Sequence, residues 1–187
     1  MTQDAAAARL ELPVAMPFRT ARLSRNAPTP FELRPDRTAL RVLAGLIGVS
    51  HLRKVSFAGT LEPMSGGGWE LNAQLGASVV QPCGVTLVPV TTRIDERVSR
   101  RFLPDYAGPS EAEAELPEDV DAEPLGAVID PAAVMVEALA LAVPPFPRAE
   151  GAELGAAVFA APGVVPMTDA DAHPMAGLAA LRDRLKR

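Results

Sequence analysis

The stretch over residues 69–79 restricts the fold of this chain more than any other part of its sequence. Apolar residues alternate there with polar or small ones without interruption, and the apolar members are Trp69, Leu71, Ala73, Leu75, Ala77 and Val79. Successive side chains of a β-strand point to opposite faces, so a period of two predicts a strand with one buried face. We expect Trp69, at the start of this apolar face, to pack in the core.

Two further alternating stretches flank this strand. One begins after Lys54 and the other at Thr86, and turn-forming residues at 65–68 and 81–84 separate them from the central run. Turns this short join antiparallel neighbours, so the sequence predicts a three-stranded antiparallel meander with one apolar face. Outside the meander we expect short strands at 12–19 and 125–129 and a loop at 26–30.

A first helix is predicted over 37–48. Asp36 is a suitable N-cap, because its carboxylate can accept the free backbone N–H groups of the first turn. Leu40, Leu43 and Ile47 then follow at the spacing of one helical stripe.

A second helix is predicted over 131–143. Asp130 can cap it, and Pro131 suits the first helical position, where its missing N–H has no partner to lose. Glu137 is the only charged residue within the segment. This helix should therefore be largely buried.

These elements together predict an α+β fold in a single domain spanning residues 1–187. Nineteen prolines limit the length of helices and central strands. We expect an antiparallel sheet of about four or five strands, with two or three helices covering it. The remaining expectations are frayed residues at 1–10, an acidic flexible loop at 105–124, a weakly structured stretch at 148–172 and a C-terminal helix at 174–186.

The residues that catalytic and metal sites require are scarce. The chain has one cysteine, Cys83, and two histidines, too few for a disulfide framework or a tetrahedral zinc site. No catalytic triad spacing and no phosphate-binding loop is present. No apolar run approaches the roughly 20 residues of a membrane span, and no signal segment is recognisable. We therefore expect a cytoplasmic protein without catalytic residues, bound metal, cofactor or membrane partner.

Charge is distributed unevenly along the chain. The net charge is −5, yet basic residues are concentrated in the first half and eight acids without a base lie within 105–123. Arginine binds phosphate with a planar fork, so a surface that gathers basic residues could bind RNA. The candidates are Arg37, Arg41, Arg53, Lys54, Arg97, Arg100 and Arg101. The alternative is an ordinary solvated surface in a chain with sixteen arginines and two lysines.

Three stretches resemble the YceD family, the large ribosomal RNA subunit accumulation proteins. Residues 79–90 are similar to the family's cysteine turn and the strand that follows it, with Cys83 and Pro89 at the matching positions. Residues 124–147 resemble its acidic lead-in and its helix containing Glu137. The tail around Pro174 is similar to the family's closing motif. Thr86 stands where family members often have a second cysteine, and His173 and Met175 replace the usual asparagine and phenylalanine.

The resemblance implies a role in the accumulation or processing of large-subunit ribosomal RNA, with no established catalytic activity. The partners it implies are this RNA or its precursor, and ribosome assembly or RNA-processing proteins. The residues that match the family motifs, as candidates for fold or partner contacts, are Cys83, Thr86, Pro89, Glu137 and Pro174. A protein–protein adaptor without direct RNA contact is the alternative function.

Overall fold

The computed structural model describes residues 12–104, 106, 121–153, 155 and 160–167. By its internal contacts the chain divides into two units, Met1–Ala149 and Glu150–Arg187, and the expected single domain stays a prediction. The described residues of the second unit contain no helix or strand. The expectations for 1–10, for 174–186 and for most of the acidic loop concern residues outside the described part.

The first unit is an α+β structure, as the sequence predicts. Its described residues form two helices and two sheets, one of five strands and one of two. In chain order the elements are β1 (Phe18–Arg19), β2 (Thr29–Leu33), α1 (Arg37–Ile47), β3 (His51–Pro63), β4 (Trp69–Pro82), β5 (Pro89–Leu103), β6 (Ala122–Pro124), β7 (Val128–Ile129) and α2 (Pro131–Ala142).

The helix α1 begins and ends where its sequence signals lie. The Asp36 carboxylate accepts a hydrogen bond from the Ala39 backbone N–H at 2.8 Å, and Gly48 ends the helix in the left-handed conformation at φ 77°. Leu43 and Ala44 are buried in the core, which fixes the inner face of the helix against the sheet. The predicted helix is confirmed.

The predicted meander forms the centre of the five-stranded sheet, whose order is β2-β3-β4-β5-β6. The strands β2 to β5 are antiparallel neighbours. The expectation of a wholly antiparallel sheet is corrected at one edge, because β6 pairs in parallel with the end of β5. The connection from Leu103 to Ala122 is long enough for the chain to return in the same direction.

The two short edge strands of the large sheet are not where the sequence predicts them. The strand β2 covers part of the expected loop at 26–30, because Phe31 and Leu33 pack in the core there. Pro30 is tolerated in β2, which is an edge strand. The strand β6 lies within the expected acidic loop. The strand expected over 12–19 shortens to β1, which pairs with β7 in the separate two-stranded sheet.

The helix α2 covers the same apolar face of the sheet as α1. The Asp130 carboxylate accepts hydrogen bonds from the backbone N–H groups of Ala132 and Met16, both at 2.9 Å, and so ties the helix start to the N-terminal segment. Met135 and Leu139 are fully buried in the same core cluster as Leu43. Trp69 is fully buried as well, which confirms that it packs in the core.

Candidate nucleic-acid interface

The side of the large sheet that faces away from α1 and α2 is polar, and we call it the open face. Residues directly opposite each other in neighbouring antiparallel strands share a face, so the strand register assigns every position to one side. Apart from the basic residues, the register places on the open face Pro30, Glu32, Ser56, Ala58, Thr60, Glu62, Glu70, Asn72, Gln74, Gly76, Ser78, Val80, Pro82, Pro89, Thr91, Asp95 and Ser99. None of these residues is aromatic, so this surface offers no platform for stacking unpaired bases.

Four of the seven predicted RNA-binding residues gather on the open face. Arg53 lies opposite Ser78, Arg97 opposite Gln74 and Arg101 opposite Glu70, which places all three side chains on this side. Lys54 lines a cleft on the same side together with Ser56 and Ser78. The structure therefore brings these four residues to one side of the sheet, and their role in binding RNA stays a prediction.

The other three predicted residues lie on the covered side, and the expected convergence is wrong for them. Arg37 and Arg41 belong to α1 and line a groove of about 430 Å³ between that helix and the start of β3. Arg100 lies opposite Leu71 on the apolar face, since neighbouring residues of a strand point to opposite sides. The doublet Arg100 and Arg101 is therefore divided between the two faces of the sheet.

Arg100 is a structural residue in this fold. Its Nη1 is 2.7 Å from Glu123 Oε1 and its Nη2 is 2.8 Å from Glu137 Oε1. Only 15% of its side chain is exposed. These ion pairs join β5 to β6 and to α2, and they provide the partner of Glu137, the one charged residue of α2.

Sequence reasoning missed Arg93 and Arg34, which also belong to the open face. Arg93, Arg97 and Arg101 are spaced by four residues along β5, an even number that keeps them on one face about 13 Å apart. That spacing was a usable signal. Arg34 follows β2 and pairs with Glu32 at 2.6 Å, beside the cleft that Lys54 lines.

The open face retains cations after its internal ion pairs are formed. Arg93 donates to both carboxylate oxygens of Asp95, at 2.7 and 2.5 Å, and these hydrogen bonds lower the pKa of Asp95. Among the described residues, Arg53, Lys54 and Arg97 have no ion-pair partner. The surface therefore combines free cationic side chains with serine hydroxyls and side-chain amides. These groups can donate hydrogen bonds to the oxygens of phosphate and 2′-hydroxyl groups.

Two of the family-motif residues, Cys83 and Thr86, lie in the turn between β4 and β5. The fully buried Cys83 sulfur accepts hydrogen bonds from the backbone N–H groups of Val85 and Thr86, at 3.4 Å each, and of Ala149, at 3.3 Å. The Gly84 N–H also donates to the Pro147 carbonyl oxygen at 2.9 Å. This turn therefore fastens the segment that follows α2 to the sheet.

The other motif residues have separate positions. Pro89 starts β5 opposite Pro82, and Glu137 is the α2 partner of Arg100. Pro174 lies outside the described residues. No group of three metal-binding side chains occurs within the described ranges.

The hydrogen bond of the Thr86 side chain and those of the backbone N–H groups lower the pKa of Cys83 to about 6, against the raising effect of burial. The stabilised thiolate exists only in the folded protein, so its contribution grows from pH 6 toward the ordinary thiol pKa of 9.0 and is lost as the pH falls back. Urea denaturation across this window should show a free-energy difference between wild type and Cys83→Ala that increases with pH. A constant difference would show that Cys83 stays a thiol.

A comparison with protein families decides the identity. The family model described as "Large ribosomal RNA subunit accumulation protein YceD" matches residues 71–182, which is more than half of the chain. The chain belongs to the YceD family. The region that matches the YceD model includes the Cys83 turn, β5 and α2, whereas Arg53 and Lys54 precede it.

Two further findings concern the YceD chain as a whole. Comparison with curated proteins and with solved structures found no match. Within the described part of this YceD protein, neither helix is long and apolar enough to cross a bilayer.

Proposed function

We propose that this YceD family member supports the accumulation of large-subunit ribosomal RNA by holding that RNA, or its precursor, on the open face. The printed description of the family names large ribosomal RNA subunit accumulation as its role. The observation that carries the RNA contact is the group of free cations, Arg53, Lys54 and Arg97, on one exposed polar side of the sheet.

The chemistry of the open face suits structured RNA better than unpaired bases. Duplex RNA is bound mainly through its phosphates, its 2′-hydroxyl groups and its shape, and these features require donors rather than aromatic platforms. Arginines at intervals of about 13 Å along β5 can reach phosphates that are more than one nucleotide apart on a strand. The neighbouring Asn72, Gln74 and Ser99 line a depression of about 420 Å³ with Arg97 and can hydrogen-bond to ribose.

In this proposal the protein works by binding and catalyses no reaction. It acts in the cytoplasm, where nascent ribosomal RNA is folded, and it hands the RNA to assembly or processing proteins. Purified protein should therefore leave the RNA intact, with or without added divalent metal ions.

A deletion strain tests the function directly. Without the gene we expect less mature large-subunit RNA and more of its precursors, measured by quantitative hybridisation. Wild-type protein and an Arg37→Ala/Arg41→Ala variant should both restore the normal pattern, because α1 is on the covered side. An Arg53→Ala/Arg97→Ala variant should not. Normal levels of mature RNA and of its precursors in the deletion strain would remove the basis of the proposal.

A second candidate function is an adaptor that binds an assembly protein without touching RNA. Exposed apolar side chains around the Cys83 turn favour it, since Leu87 is 75% exposed and Phe146 is 83% exposed. The hydrogen bond from Gly84 to Pro147 holds the two segments that carry them side by side. Exposed apolar groups that lie together are typical of protein contacts.

Affinity purification with and without ribonuclease separates the two functions. If RNA contact is primary, ribonuclease should release the ribosomal components that co-purify with the protein. If the adaptor is correct, one protein should stay bound after ribonuclease treatment and should be lost from a Leu87→Ser/Phe146→Ser variant.

A further inference from the structure

The open face contains a cleft of about 590 Å³ at the start of β3, which we call the Lys54 cleft. It is lined by Arg34, Lys54, Val55, Ser56, Ser78 and Arg93. Three of its six lining residues are cationic and two carry hydroxyl groups. Among the described residues, neither hydroxyl forms a hydrogen bond within the protein, so both can donate to a ligand.

An irregularity in β3 brings Lys54 into this cleft. Arg53 lies opposite Ser78 and Ser56 opposite Gly76, so two residues of β3 face the single residue Ala77 of β4. In a regular strand the residue after Arg53 would point into the core. The bulge lets Lys54 share the open face with Arg53 and places Val55, which is 5% exposed, in the core.

The bulge requires an unfavourable backbone conformation. Lys54 has φ 51°, in the left-handed region that residues with a Cβ rarely adopt. Bulges of this kind commonly redirect a side chain at a functional site. The left-handed backbone at Lys54 is part of the bulge that places Arg53 and Lys54 on the same side of the sheet.

The opposite wall of the cleft is equally well defined. A Cβ on Gly76 would lie 2.7 Å from Arg93 Nη2 and 3.0 Å from Ser56 Oγ, so a larger residue there would shift that guanidinium. Asp95 holds Nε and Nη2 of Arg93. The Nη1 group keeps both of its N–H donors for a ligand.

We propose that the Lys54 cleft binds a phosphate group of the RNA backbone, an inference that rests on the proposed function of the open face. Arg93 supplies a fixed planar donor, Lys54 a mobile cation, and Ser56 and Ser78 supply hydroxyl donors to the remaining phosphate oxygens. Arg34 is held at the rim by Glu32, and this pair carries no net charge.

The variant Lys54→Gly gives a sharp test, because glycine accepts the positive φ without strain. This variant should fold at least as stably as the wild type while losing the cation. The matched control is Arg41→Ala, which removes one positive charge from the covered side. Both proteins are compared with the wild type at equal ionic strength.

The first measurement uses inorganic phosphate as the probe, followed by the backbone amide signals of the labelled protein in NMR. In the wild type we expect shifts confined to β3 and β4 residues around Ser56 and Ser78 and to Arg93. Lys54→Gly should weaken phosphate binding about tenfold, as expected when one charged hydrogen bond is lost, and Arg41→Ala should not change it.

The second measurement uses a short RNA duplex. Lys54→Gly should weaken duplex binding about tenfold and reduce the slope of log affinity against log salt by roughly one unit, as for the loss of one phosphate contact.

If Lys54→Gly leaves the binding of both probes unchanged while Arg97→Ala weakens duplex binding, the cleft proposal is overturned and the proposed function stands. If Lys54→Gly weakens the binding of inorganic phosphate but no variant weakens the binding of the duplex, the cleft binds free phosphate instead, and the proposed RNA function fails. Stronger binding of a polyglutamate peptide than of either probe would overturn phosphate as the ligand.

Discussion

An Arg53→Ala/Arg97→Ala variant should bind structured RNA about a hundredfold more weakly than the wild-type protein. Both side chains are exposed on the open face and have no ion-pair partner in the described part of the chain. A hydrogen bond to a charged group contributes about 1.5 kcal/mol at the lower end of its range, and each such contact corresponds to about tenfold in affinity. The affinity can be measured by fluorescence anisotropy with a labelled RNA duplex.

The salt dependence of binding adds a second readout to the same experiment. Each lost phosphate contact reduces the slope of log affinity against log salt by somewhat less than one unit, so the double variant should lose roughly two units. Folding is not at issue, because both positions are exposed and the substitutions remove no core contact.

The control for this prediction has the same change in net charge. An Arg37→Ala/Arg41→Ala variant also removes two exposed arginines, but from α1 on the covered side of the sheet. It should retain nearly all of the affinity. Equal losses in the two double variants would mean that net charge alone attracts RNA, and the open face would have no special role.

The elements with strong local signals could be predicted from the sequence. The cap at Asp36 and the glycine at Gly48 define α1 within one turn of chain, and the alternation over 69–79 specifies β4 and its buried face. In such segments the local preference and the tertiary environment agree. Their bounds therefore needed no knowledge of the rest of the fold.

The short edge strands could not be predicted, because pairing rather than composition creates them. The strand β2 contains a proline and β6 contains three residues at the end of an acidic stretch. Each becomes a strand through the backbone groups offered by β3 or β5. Tertiary context decides such segments.

The candidate interface was predictable only where strand alternation is regular. Arg97 and Arg101 are four residues apart and share a face, and the same rule separates Arg100 from Arg101. The pair Arg53 and Lys54 breaks the rule through a bulge, whose position depends on the register between β3 and β4. The alternation of Val55 and Phe57 with Lys54 and Ser56 places Lys54 on the polar side, but continued through the bulge it would have assigned Arg53 to the core.

The second large effect concerns stability, and it should come from the pair of carboxylates that neutralise Arg100. A Glu123→Ala/Glu137→Ala variant leaves a guanidinium that is 15% exposed without its two ion-pair partners. Removing the partners of a buried charge typically costs 3–5 kcal/mol, and we expect about 3 kcal/mol here because both carboxylates are themselves partly exposed. Urea denaturation gives the free energy of unfolding. Glu96→Ala, which removes an exposed carboxylate from β5, should change it by less than about 0.5 kcal/mol.

Adding Arg100→Met to the double variant should restore most of the lost stability. Methionine has a similar length and can pack against the apolar face beside Leu71, so the triple variant contains no unpaired buried charge. The recovery separates electrostatics from packing, because a loss caused by the missing glutamate side chains would persist in the triple variant. Since Arg100 joins β5 to α2 and β6 while Arg101 beside it faces the open side, the triple variant should also bind RNA as the wild type does. Weaker RNA binding by a stable triple variant would mean that Arg100 contributes to the interface after all.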